Sequence, residues 1–264
     1  LIFAPTLVAQ AQEKEIVKIP VPYTSEVPLG SWAKPWNNAC EEASMVMAES
    51  YYFGNESMSK DVAVKYMLPL FDIENKIFGS NADSDAARTT KLLNEYLSVS
   101  AAIKNNPTLT DIKDQLRQGK PVITFHYAKS IKNPNYRWRV GGSYYHVLII
   151  IGFDDNTNEF IINDSGDDKT GASHRYSYDL IMSTLHDFNF KNHQADGPAR
   201  AVFTDSRVLI KDKTSPAVYW IFHDTKYPIA SAQVFIAHGW KWNQIKVVDS
   251  KTIQKFKTGA LIQS

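Results

Sequence analysis

The residue with the clearest chemical potential is Cys40, the only cysteine among 264 residues. It lies in the segment 35–47 (PWNNACEEASMVM), which predicts a loop leading into a helix, with the sulfur in the first helical turn. Backbone N–H groups at a helix N-terminus favour a thiolate and lower the pKa of a cysteine. Glu41 and Glu42, in the same turn, are expected to interact with the helix dipole rather than act in catalysis. Two interpretations of Cys40 remain open: a small buried apolar side chain or a reactive nucleophile.

A cysteine nucleophile needs a base beside the sulfur and a third group that orients the base. The best candidate base is His146, in the apolar run 145–153 (YHVLIIIGF), where an unpaired imidazole would be costly. Asp164 ends the next predicted strand, after a turn at 154–158. An antiparallel hairpin would bring the two side chains together, and the carboxylate would then fix the imidazole tautomer. Each residue also has a structural interpretation: His146 as a strand histidine satisfied by the backbone, and Asp164 as a turn residue.

Five sequence blocks occur in the order typical of one enzyme family. They are Val21-Pro22, 40–44 (CEEAS), 119–123 (GKPVI), 145–147 (YHV) with 151–155 (IGFDD), and 162–166 (INDSG). Together they resemble the C39-like peptidase family, a papain-like group of cysteine proteases, over residues 19–190. The resemblance implies a papain-like fold in which the nucleophile begins the central helix and the histidine and acid lie on the facing sheet. It implies Cys40 as the nucleophile, His146 as the base and Asp164 as the orienting acid.

The chemistry expected of such a site is acyl transfer to water. A Cys40 thiolate paired with a His146 imidazolium attacks an amide carbonyl, His146 protonates the leaving amine, and water cleaves the thioester. No metal or organic cofactor is expected, because the sequence has no HExxH motif, no GxSxG elbow and no phosphate-binding glycine loop. A cell-wall amidase or endopeptidase would use the same chemistry. A non-catalytic papain-fold surface module that binds peptide or glycan is the alternative from another class.

The oxyanion position departs from the family pattern. The family usually places a glutamine upstream of the cysteine, whereas this sequence has Glu26. An ionised carboxylate only accepts hydrogen bonds and would repel a developing oxyanion. Either Glu26 is held protonated, or the donor is an amide of Asn37 or Asn38 together with the backbone N–H of Cys40. The two asparagines can alternatively cap the helix.

The elements that must position these residues follow from hydrophobic periodicity. The predicted helices are 40–53, 59–70 with Ser59 as its cap, 84–97, 111–118 with Thr110 as its cap and Gly119 as its end, and 178–186. The predicted strands are 16–22, 121–127, 145–153, 159–163 and 199–204. Helices that precede a sheet indicate an α+β fold, here N-terminal helices packed on an antiparallel sheet.

The composition changes near residue 205. Short strands at 207–210, 217–222 and 244–248 predict a small β-rich module at 206–264, which leaves 15–205 as the peptidase-like domain. The module resembles β-rich units at the ends of bacterial exported proteins, which implies attachment to the cell envelope or docking of a partner. Trp220, Trp240 and Trp242 suit either a sugar-binding platform or core packing, and so small a module needs aromatic residues inside.

Composition and charge restrict the partners. Apolar residues make up 44% of the chain, enough for a packed core, and the net charge of +1 argues against nucleic acid as a partner. The apolar stretch ending in Ala9-Gln10-Ala11 predicts residues 1–14 as the remnant of a secretory signal peptide, with an apolar N-terminal strand as the alternative. We therefore expect an exported bacterial protein, secreted or associated with the envelope. It is expected to be monomeric, without a membrane span, and to act on a peptide or protein substrate.

Overall fold

The structure, a computed structural model, describes residues 14–136, 143–222 and 225–263. The predicted signal-peptide remnant lies outside these ranges except for Lys14, so it stays a prediction. Within the described ranges, no helix combines the length and the apolar character that crossing a bilayer requires.

The α-helices of the described residues fall at most of the predicted places. They are α1 (Cys40–Tyr52), α2 (Lys60–Phe78), α3 (Ala86–Tyr96), α4 (Leu109–Arg117), α5 (Tyr178–Ser183), α6 (Ala232–Ala237) and α7 (Ser250–Gln254). Ser59 caps α2 as predicted. The predicted cap of α4 is wrong, because Thr108 rather than Thr110 accepts from the backbone N–H of Asp111, whose side chain closes a capping box. The predicted end of α2 is also wrong, since the helix continues past Pro69 until the left-handed Gly79, with φ of 78°, ends it.

The strands form two sheets within the described residues. They are β1 (Ile16–Lys18), β2 (Val99–Asn105), β3 (Val122–Tyr127), β4 (Tyr145–Asp154), β5 (Glu159–Asn163), β6 (His174–Ser177), β7 (Arg200–Ser206), β8 (Val208–Asp212), β9 (Val218–Phe222), β10 (Thr225–Pro228), β11 (Ile245–Val248) and β12 (Lys257–Thr258). The first sheet is antiparallel, in the order β2-β7-β3-β4-β5-β6, and β1 also pairs with β4. Strands β2 and β6 were not predicted. Small and polar residues interrupt VSAAIKN, and HRYS has no β-branched residue, so neither segment shows the apolar run that marks β3 and β4.

Helix α1 is the central helix of the first layer. All of its residues are buried, and it packs against β4, α2 and α3. Helices therefore cover an antiparallel sheet, which confirms the predicted α+β class. Strand β4 is buried along its whole length and pairs with β3 on one side, so that His146 lies opposite His126. The predicted hairpin is present, because β4 pairs antiparallel with β5.

A close backbone contact brings the N-terminal strand onto this sheet. A Cβ atom on Gly152 would lie 2.2 Å from the carbonyl oxygen of Val17, so only glycine permits β1 to approach β4 this closely. After β1 the chain stays near β5, because Asn163 Nδ2 donates to the Val21 carbonyl. This path carries the following loop, with Glu26, to the end of β5.

The second sheet lies in the C-terminal part of the chain, in the order β11-β8-β9-β10-β12. Val208 and Ile221 belong to the same apolar core as β4, and Lys246 Nζ lies 3.4 Å from Glu49 Oε1 on α1. Trp242 is 52% exposed but stacks on Phe235 with ring centroids 4.0 Å apart. The independence of 206–264 as a module stays a prediction. Its attachment to the cell envelope or to a partner also stays a prediction.

Candidate active site

Cys40 is the first residue of α1, as the sequence predicted, and its side chain is only 4% exposed. Its Sγ donates a hydrogen bond to Glu41 Oε2 at 3.0 Å. Burial raises the pKa of the Cys40 thiol well above its ordinary value, and the nearby carboxyl groups of Glu41 and Glu26 raise it further. The expected preformed thiolate is therefore wrong for this arrangement. The desolvation of the sulfur is the largest cause of this rise in pKa.

The two candidate amides before the helix interact with other groups. Ala39 is the N-cap of α1, and no side chain of the described residues caps this end, so the capping interpretation of the asparagines is wrong. Asn37 Nδ2 donates to Asn38 Oδ1, and Asn38 Nδ2 donates to Asp83 Oδ1 at 3.3 Å. The asparagines are thus linked to each other and to an acidic side chain that the sequence analysis missed.

His146 and Asp164 meet at the end of the β4–β5 hairpin, as predicted. His146 Nε2 lies 2.9 Å from Asp164 Oδ1, and both side chains are buried. Burial by itself lowers the pKa of His146, but the hydrogen bond to Asp164 and the charges of Asp164 and Glu26 outweigh it and raise the pKa above 6.5. A proton on Nε2 toward the carboxylate leaves Nδ1, which lies 3.9 Å from Glu26 Oε2, as the ring nitrogen on the side of Glu26.

Asp164 is held by more partners than the sequence indicated. Tyr136 Oη and Tyr176 Oη each donate to its Oδ2 at 2.6 Å, and the backbone N–H of Gly166 donates to its Oδ1 at 3.2 Å. Burial opposes ionisation, yet the contact with His146 and the two tyrosine hydroxyls lower the pKa of Asp164. Asp164 is therefore an ionised acceptor. No local sequence signal pointed to Tyr136 or Tyr176, since both reach the site from separate segments.

Gly166 sets the space available to the imidazole ring. A Cβ atom at this position would lie 2.8 Å from His146 Cε1 and 3.0 Å from its Nε2. Glycine thus lets the loop after β5 pass directly beside the ring that Asp164 holds.

We expect Gly166→Ala to push the His146 ring away from Asp164. The added methyl should cost about 1–3 kcal/mol of folding free energy. Because Asp164 raises the pKa of His146, the His146 pKa should fall in this variant. Thermal unfolding and an NMR titration of the imidazole nitrogens measure the two effects. An unchanged His146 titration would mean that the loop absorbs the methyl group.

Glu26 is the third group beside the thiol. Its Oε2 lies 3.9 Å from His146 Nδ1, and one potential ligating atom from each of Glu26, Cys40 and His146 lies within 4.8 Å of the other two. Glu26 is buried, its backbone N–H donates to the Ser165 carbonyl, and Ser165 Oγ donates to its Oε2 at 3.4 Å. Burial raises the pKa of Glu26 to about 7, although the charge of His146 acts in the opposite direction. Below that pH the group is a neutral carboxylic acid with a proton to donate.

A group of buried acids lies behind Cys40. Burial raises the pKa of both Glu41 and Glu42, which opposes the ionised form that the predicted interaction with the helix dipole requires. Glu41 Oε1 accepts from the backbone N–H of Ser84 at 2.5 Å, while Ser84 Oγ donates to Glu74 Oε1 at 2.9 Å. Glu42 Oε2 and Glu74 Oε2 are buried and meet no N–H or hydroxyl donor among the described residues. Burial and the adjacent carboxyl of Glu74 raise the pKa of Glu42, so that a protonated Glu42 hydrogen-bonds to Glu74.

We expect Glu42→Gln to stabilise the protein above neutral pH. The folded state holds the Glu42 proton more tightly than the unfolded state, so this contribution is fully present below about pH 4 and is lost as the pH rises through the folded pKa. A glutamine amide replaces the proton by a permanent donor. The variant should gain roughly 1–3 kcal/mol at pH 8 and nothing near pH 4 in chemical unfolding experiments.

Glu95→Gln is the matched control, since Glu95 forms an exposed ion pair with Lys91. It should change stability by less than about 1 kcal/mol. A pH profile of Glu42→Gln parallel to that of the natural protein would contradict the shared proton.

Comparison with known proteins gives two findings. The model of the Peptidase_C39 like family matches residues 19–194 of this chain. A crystal structure described as a C39-like peptidase from Bacillus anthracis has a TM-score of 0.47 and 14% sequence identity, covering 73% of this chain and 98% of that chain. None of the curated proteins compared with the chain matches it.

Proposed function

This chain belongs to the peptidase C39-like family, and on that premise we propose that it is a cysteine peptidase that hydrolyses peptide bonds. Cys40 is the nucleophile, His146 the general base and acid, and Asp164 the group that orients the base. The observation that supports this assignment most directly is the buried Asp164–His146 hydrogen bond of 2.9 Å with the Cys40 thiol close to the ring.

The raised pKa of Cys40 favours a general-base route over a resting ion pair. As Sγ attacks the substrate carbonyl carbon, His146 Nδ1 takes the thiol proton, and the carbonyl oxygen becomes an oxyanion. The C–N bond then breaks while His146 gives this proton to the leaving amine. Water, deprotonated by His146, attacks the thioester and releases the acid with the thiol restored.

Asp164 supports this cycle without gaining a proton. Its low pKa keeps it ionised, so it stabilises the imidazolium that forms in each step. The two tyrosine hydroxyls at Oδ2 prevent the carboxylate from rotating away from His146. A fixed carboxylate fixes the ring.

Glu26 completes the site as the oxyanion donor. Its neutral carboxylic acid and the backbone N–H of Cys40, which has no helical acceptor at the first position of α1, would both point at the developing charge. The loop held by Ser165 keeps Glu26 within reach of the thiol. The carboxylic acid thus performs the donor role of an amide, but only while it is protonated.

We expect Glu26→Gln to change how hydrolysis depends on pH. The natural donor ionises with a pKa of about 7, whereas a glutamine amide donates at every pH. The ratio of kcat/KM of the variant to that of the natural protein should therefore rise about tenfold between pH 6 and pH 8. Because the charge of Glu26 also raises the pKa of His146, the His146 titration of each protein is measured by NMR and divided out of its profile before the ratio is taken. A ratio of kcat/KM for Glu26→Gln and the natural protein that does not change with pH would exclude Glu26 as the oxyanion donor. Glu26→Leu, which has no donor at any pH, should lose about 10²–10³-fold in kcat.

The substrate would lie along the loop that carries Glu26. A cavity of about 280 Å³ lies beside that loop, lined by Glu26's neighbours in the 23–30 segment, but not by Glu26 itself, together with Met58, Lys60 and Asp168. Its mixture of apolar and charged walls suits a peptide side chain rather than a purely apolar ligand.

Two measurements on the purified chain test the function. A mixture of unrelated peptides, incubated with the protein and read by mass spectrometry, should give new termini that carry one oxygen from labelled water. A peptide with an electrophilic warhead should form one adduct, on Cys40. Intact peptides together with an unmodified Cys40 would favour a binding module over an enzyme.

A further inference from the structure

The Cys40 thiol and the two side chains beside it, Glu26 and His146, together have the composition of a metal site. Glu26, Cys40 and His146 each present one potential ligand atom, these atoms lie within 4.8 Å of one another, and all three side chains are buried. A thiolate, an imidazole and a carboxylate are the ligand types that Zn²⁺ binds in proteins. A glutamine amide at position 26 would supply no anionic ligand, so the carboxylate distinguishes this arrangement from a simple cysteine–histidine pair.

The distances are close to those that zinc requires. Ligand bonds of about 2.0–2.3 Å in a tetrahedron place the ligand atoms about 3.3–3.6 Å apart. Glu26 Oε2 and His146 Nδ1 are already 3.9 Å apart, and side-chain rotations of roughly an ångström would close the remaining gaps. Three protein ligands leave the fourth position for water or another small ligand.

The surrounding groups already orient the ligands. A zinc-bound histidine nearly always gives its second ring N–H to a carboxylate or carbonyl, and His146 Nε2 is 2.9 Å from Asp164. That bond directs Nδ1 toward Glu26 and Cys40. Ser165 Oγ holds Glu26 Oε2 in the same way. The two anionic ligands would neutralise a buried Zn²⁺, which meets the electrostatic requirement of a dry site.

We propose that Glu26, Cys40 and His146 form a zinc-binding site in which the metal holds the sulfur and the ring nitrogen and so blocks the catalytic thiol. Zinc binding is inferred from the geometry alone, whereas the inhibition rests on the proposed peptidase function. The metal is not a cofactor of hydrolysis here; it is a reversible inhibitor that must leave before Cys40 attacks a substrate.

Direct metal binding is the primary test. Calorimetry with Zn²⁺ on the full chain should give one site, and titration with Co²⁺ should give a sulfur-to-cobalt charge-transfer absorption that Zn²⁺ removes. Bound Zn²⁺ should protect Cys40 from alkylation by iodoacetamide, and a chelator should restore the reaction. Glu26→Gln should weaken Zn²⁺ binding at least tenfold. His174→Ala is the matched control, because His174 pairs with Asp167 away from the thiol, and its affinity should be unchanged.

The outcomes separate the two proposals. The zinc site is supported, even if no peptide is ever cleaved, by three results together. They are a single Zn²⁺ site, the cobalt charge-transfer band and a lower Zn²⁺ affinity in Glu26→Gln. A Zn²⁺ affinity of Glu26→Gln equal to that of the natural protein overturns the three-ligand site. The absence of Zn²⁺ binding overturns it as well, and so does a loss of Zn²⁺ affinity in His174→Ala. If peptides are cleaved, the inhibition constant for Zn²⁺ should equal its dissociation constant. Hydrolysis that continues at saturating Zn²⁺ overturns the blocking role.

Discussion

Replacing Cys40 by alanine should abolish peptide hydrolysis, with a loss of about 10⁴–10⁶-fold in kcat. In the proposed mechanism the sulfur forms the acyl-enzyme, and it is the only cysteine sulfur in the chain. The fold should survive, because alanine suits the first turn of α1 and the change removes one hydrogen bond, from Sγ to Glu41. Steady-state assays and thermal unfolding, run on the same preparation, measure the two expectations.

Ser44→Ala is the matched control for Cys40→Ala. Ser44 is buried in α1 one turn later, and its Oγ has no hydrogen-bond partner among the described residues. Removing it changes the same helix without touching the site, so kcat should stay within about twofold of the natural value. Hydrolysis by Cys40→Ala at a rate close to that of the Ser44→Ala protein would exclude Cys40 as the nucleophile.

Replacing His146 by glutamine should lower kcat by about 10²–10⁴-fold, the usual contribution of a general acid–base group. Glutamine can still donate a hydrogen bond to Asp164, so the buried carboxylate keeps a partner and the strand keeps a side chain of similar length. It cannot accept the proton of the Cys40 thiol at any pH. The slope that His146 contributes to the pH–rate profile should therefore disappear together with the rate.

His126→Gln tests whether any buried strand histidine has this effect. His126 lies directly opposite His146 across β3 and β4, and its ring nitrogens contact the hydroxyls of Thr184 and Thr124. Burial lowers its pKa to about 3, so it stays neutral and has no proton to exchange at working pH. If His126→Gln and His146→Gln lose the same activity, the loss comes from damage to the sheet rather than from the missing base.

Much of the site could be predicted because its parts are local in the chain. The start of α1 at Cys40 follows from a loop-forming segment before a helical one. The proximity of His146 and Asp164 follows from two strands joined by a short turn, because antiparallel pairing brings the start of β4 beside the end of β5. Strands β2 and β6 were missed because their local patterns are weak. Their extended form depends on pairing with the neighbouring strands β7 and β5 rather than on their own residues.

The protonation of the site could not be predicted from neighbouring residues. Cys40 was expected to ionise because a helix begins there. In the structure the sulfur is buried near Glu41 and Glu26, and burial together with these carboxyl groups raises the pKa of the thiol. The carboxyl of Glu41 turns inward because the backbone N–H of Ser84, far along the chain, donates to it. Tyr136 and Tyr176, which together with His146 lower the pKa of Asp164, likewise come from separate segments.

The amino-acid sequence by itself determined the family, the α+β class, the helix that begins at Cys40 and the hairpin that joins His146 to Asp164. Each of these depends on local periodicity, turn residues and the order of motifs. Only the tertiary structure decided which of these groups carry charge, that Glu26 retains a proton up to about pH 7, and that three side chains converge within 4.8 Å. Desolvation depends on every atom packed around a group, and those atoms come from distant parts of the chain.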